Sequence, residues 1–380
     1  MLRLLASSLS FAAILASGVV SFQAPINNEL AWAATLHSRI TATAAADSGR
    51  CVVAMAGSQL TVLDGSGYVL WEKPTLEKTD RADGDAIAVS PSCDWVAVTS
   101  GGKPPHVQIL ERDGPGRVVR LAEAINDDES NRLWEPRSAA IAPDGSLLAI
   151  GTAFDRVALV NREGRVVQRI RTSDISYPVV VEFTADGKRL VITAFYAVGL
   201  MDLAGNWQWH EQYASLSPGR NLQFFAAWFT PAHGPQGGNV ALLDSGGKAV
   251  WDRAVWEPSV AIAPNEQYVA VSAIPDDAVD LDASGTMPVP NQLRKELRLI
   301  DRSGKDMATK RIQASVQFVT DDSRCVVIRD GRDLVGVDLK LQEQWRLTGL
   351  GRPFTRMGSD LLLQSDSQTL RAFRLPSCGH

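Results

Sequence analysis

Histidine, cysteine and excess charge are all scarce in this chain. Five histidines are spread over 380 residues: His37, His106, His210, His233 and His380. No two stand at a short spacing that would place them on one site. No Ser-His-Asp or Cys-His grouping is legible, since such groups assemble in space rather than along the sequence. The four cysteines, Cys51, Cys93, Cys325 and Cys378, include no adjacent pair. A formal net charge of -5 argues against nucleic acid or an anionic membrane surface as partner. With 45% hydrophobic and 21% charged residues the balance is that of an ordinary globular protein.

The N-terminus is the exception to that balance. Met1-Leu2-Arg3 followed by an apolar stretch from Leu4 to Phe22 reads as a secretory signal. The stretch is rich in Ala and Ser, which favours cleavage over permanent anchoring. Cleavage after residue 24 leaves one domain, 25–380. The alternative, after residue 33, uses the better small-x-small site Ala31-Trp32-Ala33 but leaves a long polar region. No cysteine lies near either site, so lipid anchoring is disfavoured. The expected location is outside the cytoplasm, periplasmic or extracellular, with the membrane touched only through an uncleaved signal.

What the sequence does hold is a repeat. V-L-D-G-S-G-Y-V-L-W-E (Val62 to Glu72) returns as L-M-D-L-A-G-N-W-Q-W (Leu200 to Trp209) and L-L-D-S-G-G-K-A-V-W (Leu242 to Trp251). Weaker copies begin at Leu159, Leu299 and Gly336. Each is preceded by a strand–turn–strand phrase such as A-A-I-A-P-D-G-S-L-L-A-I-G-T (Ala139 to Thr152), with a Pro-Asp-Gly turn between strands. A period of roughly 35–45 residues with four short strands per repeat predicts a single all-β domain, a β-propeller. Seven repeats run from about Arg39 to Leu347. Three strands remain after them, and Glu29 to Thr35 resembles the Trp-bearing outer strands. An N-terminal strand beside three C-terminal ones gives eight four-stranded blades, with seven as the alternative count, and leaves no sheet edge open.

The phrase D-x-x-G-x-x-x-W resembles the repeat of quinoprotein-like (pyrroloquinoline-quinone-type) propellers, and A-P-D-G-S-L-L-A-I resembles WD-type repeats. The resemblance covers nearly all of the mature chain and implies a structural pattern. Trp71, Trp209, Trp251 and Trp345 are expected between neighbouring blades, where a large flat ring buries much area. Quinone-dependent dehydrogenases of that superfamily imply adjacent cysteines beneath the cofactor, which this chain lacks. The non-catalytic branch, which includes an envelope assembly scaffold, is the better match, and no cofactor is predicted.

Inner strands should line a central channel. Here they offer small residues such as Thr41, Ala88, Ala139, Ser215 and Ala261, with Glu182 and Arg356 the charged ones within them. A channel packed for closure is therefore expected, and no catalytic residue is assigned. Longer connections fall between outer and inner strands and between second and third strands, on one face of a propeller. They are acidic: Asp80, Asp83, Asp127, Asp128, Glu129, Asp276 and Asp277. With Trp134, Phe154 and Tyr196 beside them they form the expected partner-binding face, since binding residues concentrate on loops held by a rigid scaffold. The partner expected is a protein or envelope component, bound by a monomer. Within the longest connection, Asp280, Asp282 and Ser284 match the first half of a calcium loop, but Asn291 stands where a bidentate carboxylate belongs. The cysteines fall in the blades that flank the chain ends. Cys51–Cys93 and Cys325–Cys378 are the candidate disulfides, and free thiols are the other reading. A propeller enzyme, either a quinone-dependent dehydrogenase or a channel-sited hydrolase, is the alternative function.

Overall fold

The computed structural model describes residues 30–46, 48–76, 86–101, 104–122, 133–172, 179–194, 197–229, 238–275, 295–350 and 354–378. The signal stretch and its first cleavage point lie outside these. The described elements are strands throughout, arranged in antiparallel sheets as the blades of a propeller.

Four blades follow one another along the chain: Ile40–Pro74, Ile87–Arg120, Pro136–Arg171 and Val180–Glu211 mark their first and last residues. Each is a meander of four strands. A seven-stranded sheet comes next, from Ser215 to Arg311, then a four-stranded sheet from Ser315 to Leu347. A terminal sheet combines Leu30–Thr35 with Phe354–Met357, Leu361–Asp366 and Thr369–Arg374. In it the first described strand runs antiparallel to the last, with Ala34 opposite Leu370.

The seven-stranded sheet turns on one long element. Ala249–Ile262 pairs along its first half with Gly238–Asp244 and along its second half with Tyr268–Pro275. Sequence reasoning places an outer strand ending near Trp251 and a separate inner strand near Val260. The chain instead passes between them in strand conformation, with a register shift between Trp256 and Ser259 and a left-handed Glu257 (φ 47°).

The repeated aspartate makes the turn before each outer strand. Asp64 Oδ1 accepts the backbone N–H groups of Ser66 (2.8 Å) and Tyr68 (3.0 Å). Asp202, Asp244, Asp301 and Asp338 take the residues two and four further on in the same way. A carboxylate satisfying two turn amides is the reason Asp is fixed here. The next requirement is a left-handed residue, and Gly67, Gly205, Gly247 and Gly304 supply it at φ 83° to 93°.

Apolar clusters fill the gaps between successive sheets. Val53 and Leu60 of the first blade share one with Val96 and Leu110 of the second. Ile109 and Leu121 share the next with Leu148 and Ile150. Val52 and Leu63 of the first blade also pack with Leu363 and Leu370 of the terminal sheet. Because both faces of a blade are covered, its middle strands read as continuous apolar runs, as Cys51–Ala56 and Trp95–Ser100 do, buried at every residue.

Outer-strand residues lock onto the next blade's turn. Trp251 Nε1 donates to Asp301 O (3.2 Å), Trp71 Nε1 to Cys93 O (2.7 Å), and Trp32 Nε1 to Gly65 O (2.9 Å). Two residues beyond the tryptophan position, Lys73 donates to Gly114 O (3.2 Å), Lys310 to Leu341 O (2.9 Å), and Arg253 to Gly304 O. Trp345 differs: it joins Leu362 and Phe373 of the terminal sheet in one cluster while its ring lies over Gly336 of its own sheet.

Candidate functional site

The inner strands are tied sideways by hydroxyl groups. Ser138 Oγ donates to Val179 O (2.9 Å) and accepts from Val181 N (3.1 Å), joining the third blade to the fourth. Ser259 Oγ accepts from Val316 N (2.8 Å). Thr43 and Thr355 share a hydroxyl–hydroxyl bond of 3.0 Å, joining the first blade to the terminal sheet. The small polar residues on these strands thus satisfy backbone groups that strand pairing leaves open.

An open cavity of about 510 Å³ lies against several of the inner strands. It is reached by inner strands of the fourth blade, the seven-stranded sheet, the Ser315–Leu347 sheet and the terminal sheet. Leu216, Val260, Ile262 and Phe318 give it apolar walls. Its charged groups are Glu182, Arg220, Asp321 and Arg356. The first and last stand on inner strands and were legible as such. Arg220 and Asp321 belong to the tight turns that follow two other inner strands, where the common phrase has Pro-Asp-Gly. Departure from that phrase was the available signal.

Arg356 is held on three sides. Its Nη2 pairs with Asp321 Oδ1, its Nε donates to Gly358 O (3.1 Å), and its guanidinium lies 4.8 Å from the centre of the Phe318 ring. Gln317 turns its amide nitrogen back onto Ser315 Oγ (2.9 Å). Arg220 is exposed and makes no hydrogen bond or ion pair with another described residue.

A second polar group lies at the end of the fourth blade. Tyr213 Oη donates to Asp252 Oδ2 (3.4 Å), and Asn239 Nδ2 donates to the same carboxylate (3.1 Å). Burial, followed by the charge of Asp252, pushes the Tyr213 phenol up to about 12. It therefore stays protonated at neutral pH and serves as a donor.

Of the expected partner face, two residues are described. Trp134 is buried between the second and third blades, with Arg169 stacked 5.6 Å from its ring centre. Phe154 is half-buried in the turn between the second and third strands of the third blade. Asp80, Asp83, Asp127, Asp128, Glu129, Tyr196, Asp276 and Asp277 lie outside the described residues, as do Asp280, Asp282 and Ser284 of the calcium-like stretch. Among the described residues no three His, Cys, Asp or Glu side chains are grouped to hold a metal ion.

All four cysteines are paired. Cys51 of the first blade bonds Cys93 of the second, with Cα atoms 6.1 Å apart. Cys325 of the Ser315–Leu347 sheet bonds Cys378, which follows the last strand of the terminal sheet, with Cα atoms 5.5 Å apart. Neighbouring blades are close enough at these turns to span the ordinary disulfide distance.

No family model and no curated protein matches this chain.

Proposed function

We propose that the chain is an exported, non-enzymatic propeller of the quinoprotein-like or WD-type repeat class. In this reading it has eight four-stranded blades, the seven-stranded sheet counting as two that share Ala249–Ile262. It acts as a binding scaffold for a protein or envelope component, through the acidic connections on one face.

One observation carries the reading. Every long connection, including 75–86, 121–135, 230–237 and 276–295, leaves the same ends of the blades, while the opposite ends are joined by tight turns. A rigid frame that gathers its variable segments on one face is the arrangement of a binding surface. Their acidic content suits a basic or polar partner. The two disulfides between neighbouring blades are in keeping with an oxidising, exported location.

The test neutralises the face. With Asp127, Asp128 and Glu129 changed to Asn, Asn and Gln, and Asp276 and Asp277 to Asn, capture of the partner from the native host's envelope should fall while the melting temperature stays the same. Capture undiminished by both sets would overturn the reading. The second reading, a channel-sited hydrolase, draws on Glu182 beside the cavity; it requires a turnover that Glu182→Gln removes.

A further inference from the structure

We propose that the inner-strand cavity is a site for a ligand bearing a carboxylate group, held by Arg220 and by the free edge of Arg356 against an aromatic wall. The inference rests on the cavity alone, so it and the loop-face reading can fail separately.

The cavity, at about 510 Å³, lies within the size range of ligand pockets, and its accessible lining is more polar than apolar. Phe318 and Trp228, both half-buried, stand among the lining side chains. Its four charged groups balance, two anionic and two cationic, but they are not equally engaged. Asp321 is engaged by Arg356. Arg356 spends Nη2 on that pair and Nε on Gly358 O, which leaves the two N–H groups of Nη1. Arg220 commits none of its five donors to a described residue.

Guanidinium N–H groups left without a described partner in one concave space suit an anionic group. A guanidinium presents a planar fork that fits a carboxylate through two parallel hydrogen bonds. Arg356 also meets the requirement of pre-organisation: its ion pair, its backbone bond and its stacking on Phe318 hold it in place before any ligand arrives. Glu182, at the same cavity, opposes an anion and so sets a sign that the experiment can read.

The experiment is equilibrium binding by calorimetry on the mature, disulfide-bonded protein. The probes are N-acetyl-phenylalanine, its C-terminal amide, and a tetrapeptide ending in phenylalanine with a free carboxylate. The expected result is binding of both acids and loss of at least tenfold in affinity for the amide. Arg220→Ala should weaken the acids by about 10–100-fold, the range of a charged hydrogen bond lost. Glu182→Gln should tighten them. Tighter binding of the tetrapeptide than of N-acetyl-phenylalanine identifies a chain terminus as the source, and the reverse a small free acid. Both variants replace exposed side chains, and thermal melts verify their folding; Arg356→Lys, which keeps a partner for Asp321, serves as a further variant should either fail to fold. Equal affinity for acid and amide, no binding of any acid at millimolar concentration, or an Arg220→Ala protein that binds as the wild type does would each overturn the proposal.

Discussion

The indole of Trp209, at the end of the fourth blade, lies so close to Gly247 in the next turn that a Cβ there would stand 2.7 Å from the ring. Trp251 meets Gly304 in the same way, and Trp32 meets Gly67. One relation, outer-strand ring on the glycine of the following D-x-x-G turn, thus joins blade to blade. Gly247→Ala should cost about 2–4 kcal/mol, combining left-handed strain with overpacking. Gly331, also left-handed but with open space around it, supplies the control; Gly331→Ala should cost about 1–2 kcal/mol. In a Trp209→Leu background the Gly247→Ala penalty should drop toward that of the control. Urea denaturation measures the four variants against the wild type, and an unchanged penalty in the Leu background contradicts the relation.

The disulfides act at the part of the molecule where the chain ends meet. One joins the first and second blades and the other joins the Ser315–Leu347 sheet to the terminal sheet. Between these pairs the terminal sheet packs on the first blade. Closing a separation of 42 residues constrains the unfolded chain by about 4 kcal/mol in the loop-entropy account. The double variant Cys51→Ala with Cys93→Ala is therefore expected to unfold at lower denaturant than the wild type by that order. Reduction of the wild type, which opens both disulfides, should lower the midpoint further. Equal midpoints for the oxidised and reduced proteins would refute it.

Acid should loosen the turns. Asp301 is held below the usual carboxylate range, first by the Ser303 hydroxyl and then by the Lys305 N–H. With its pKa lower in the folded state than in the unfolded one, about 3.9, its contribution is present above that value. It is lost as the pH falls through the folded pKa. An asparagine keeps the accepting oxygen, as Asn161 does for Arg165 (2.8 Å), but does not titrate. The wild type should therefore exceed Asp301→Asn in stability at pH 7 and converge with it as the pH falls through the folded pKa. A gap that widens toward low pH runs against the stated sign.

The architecture was largely legible because its signals are local. The aspartate, the glycine and the tryptophan stand within eight residues of one another, and each has one physical task in one turn. The first and last strands were matched by the likeness of Leu30–Thr35 to the outer strands around Trp71 and Trp251. The cavity site was not legible. Glu182, Arg220, Asp321 and Arg356 come from four separate inner strands or their turns, and nothing in the spacing of a repeat reports how far apart those strands stand. The continuous Ala249–Ile262 strand escaped for a related reason: the repeat sets an outer and an inner strand, while the absence of a turn between them depends on how two blades meet. The burial of Trp134 follows from packing between blades, which a tryptophan beside a long connection does not declare.

The central claim is that one face carries the function and the other only the turns. Site-specific photocrosslinking in the native host tests it. A photoreactive residue at Leu76, which is 67% exposed at the end of the first blade's outer strand, reports on the face bearing the long connections. One at Lys188, exposed in the tight turn of the fourth blade, reports on the other. The account predicts a discrete crosslinked product from position 76, abolished when the acidic connections are neutralised, and none from position 188. A product from 188 alone, or one from 76 that survives neutralisation, would contradict it.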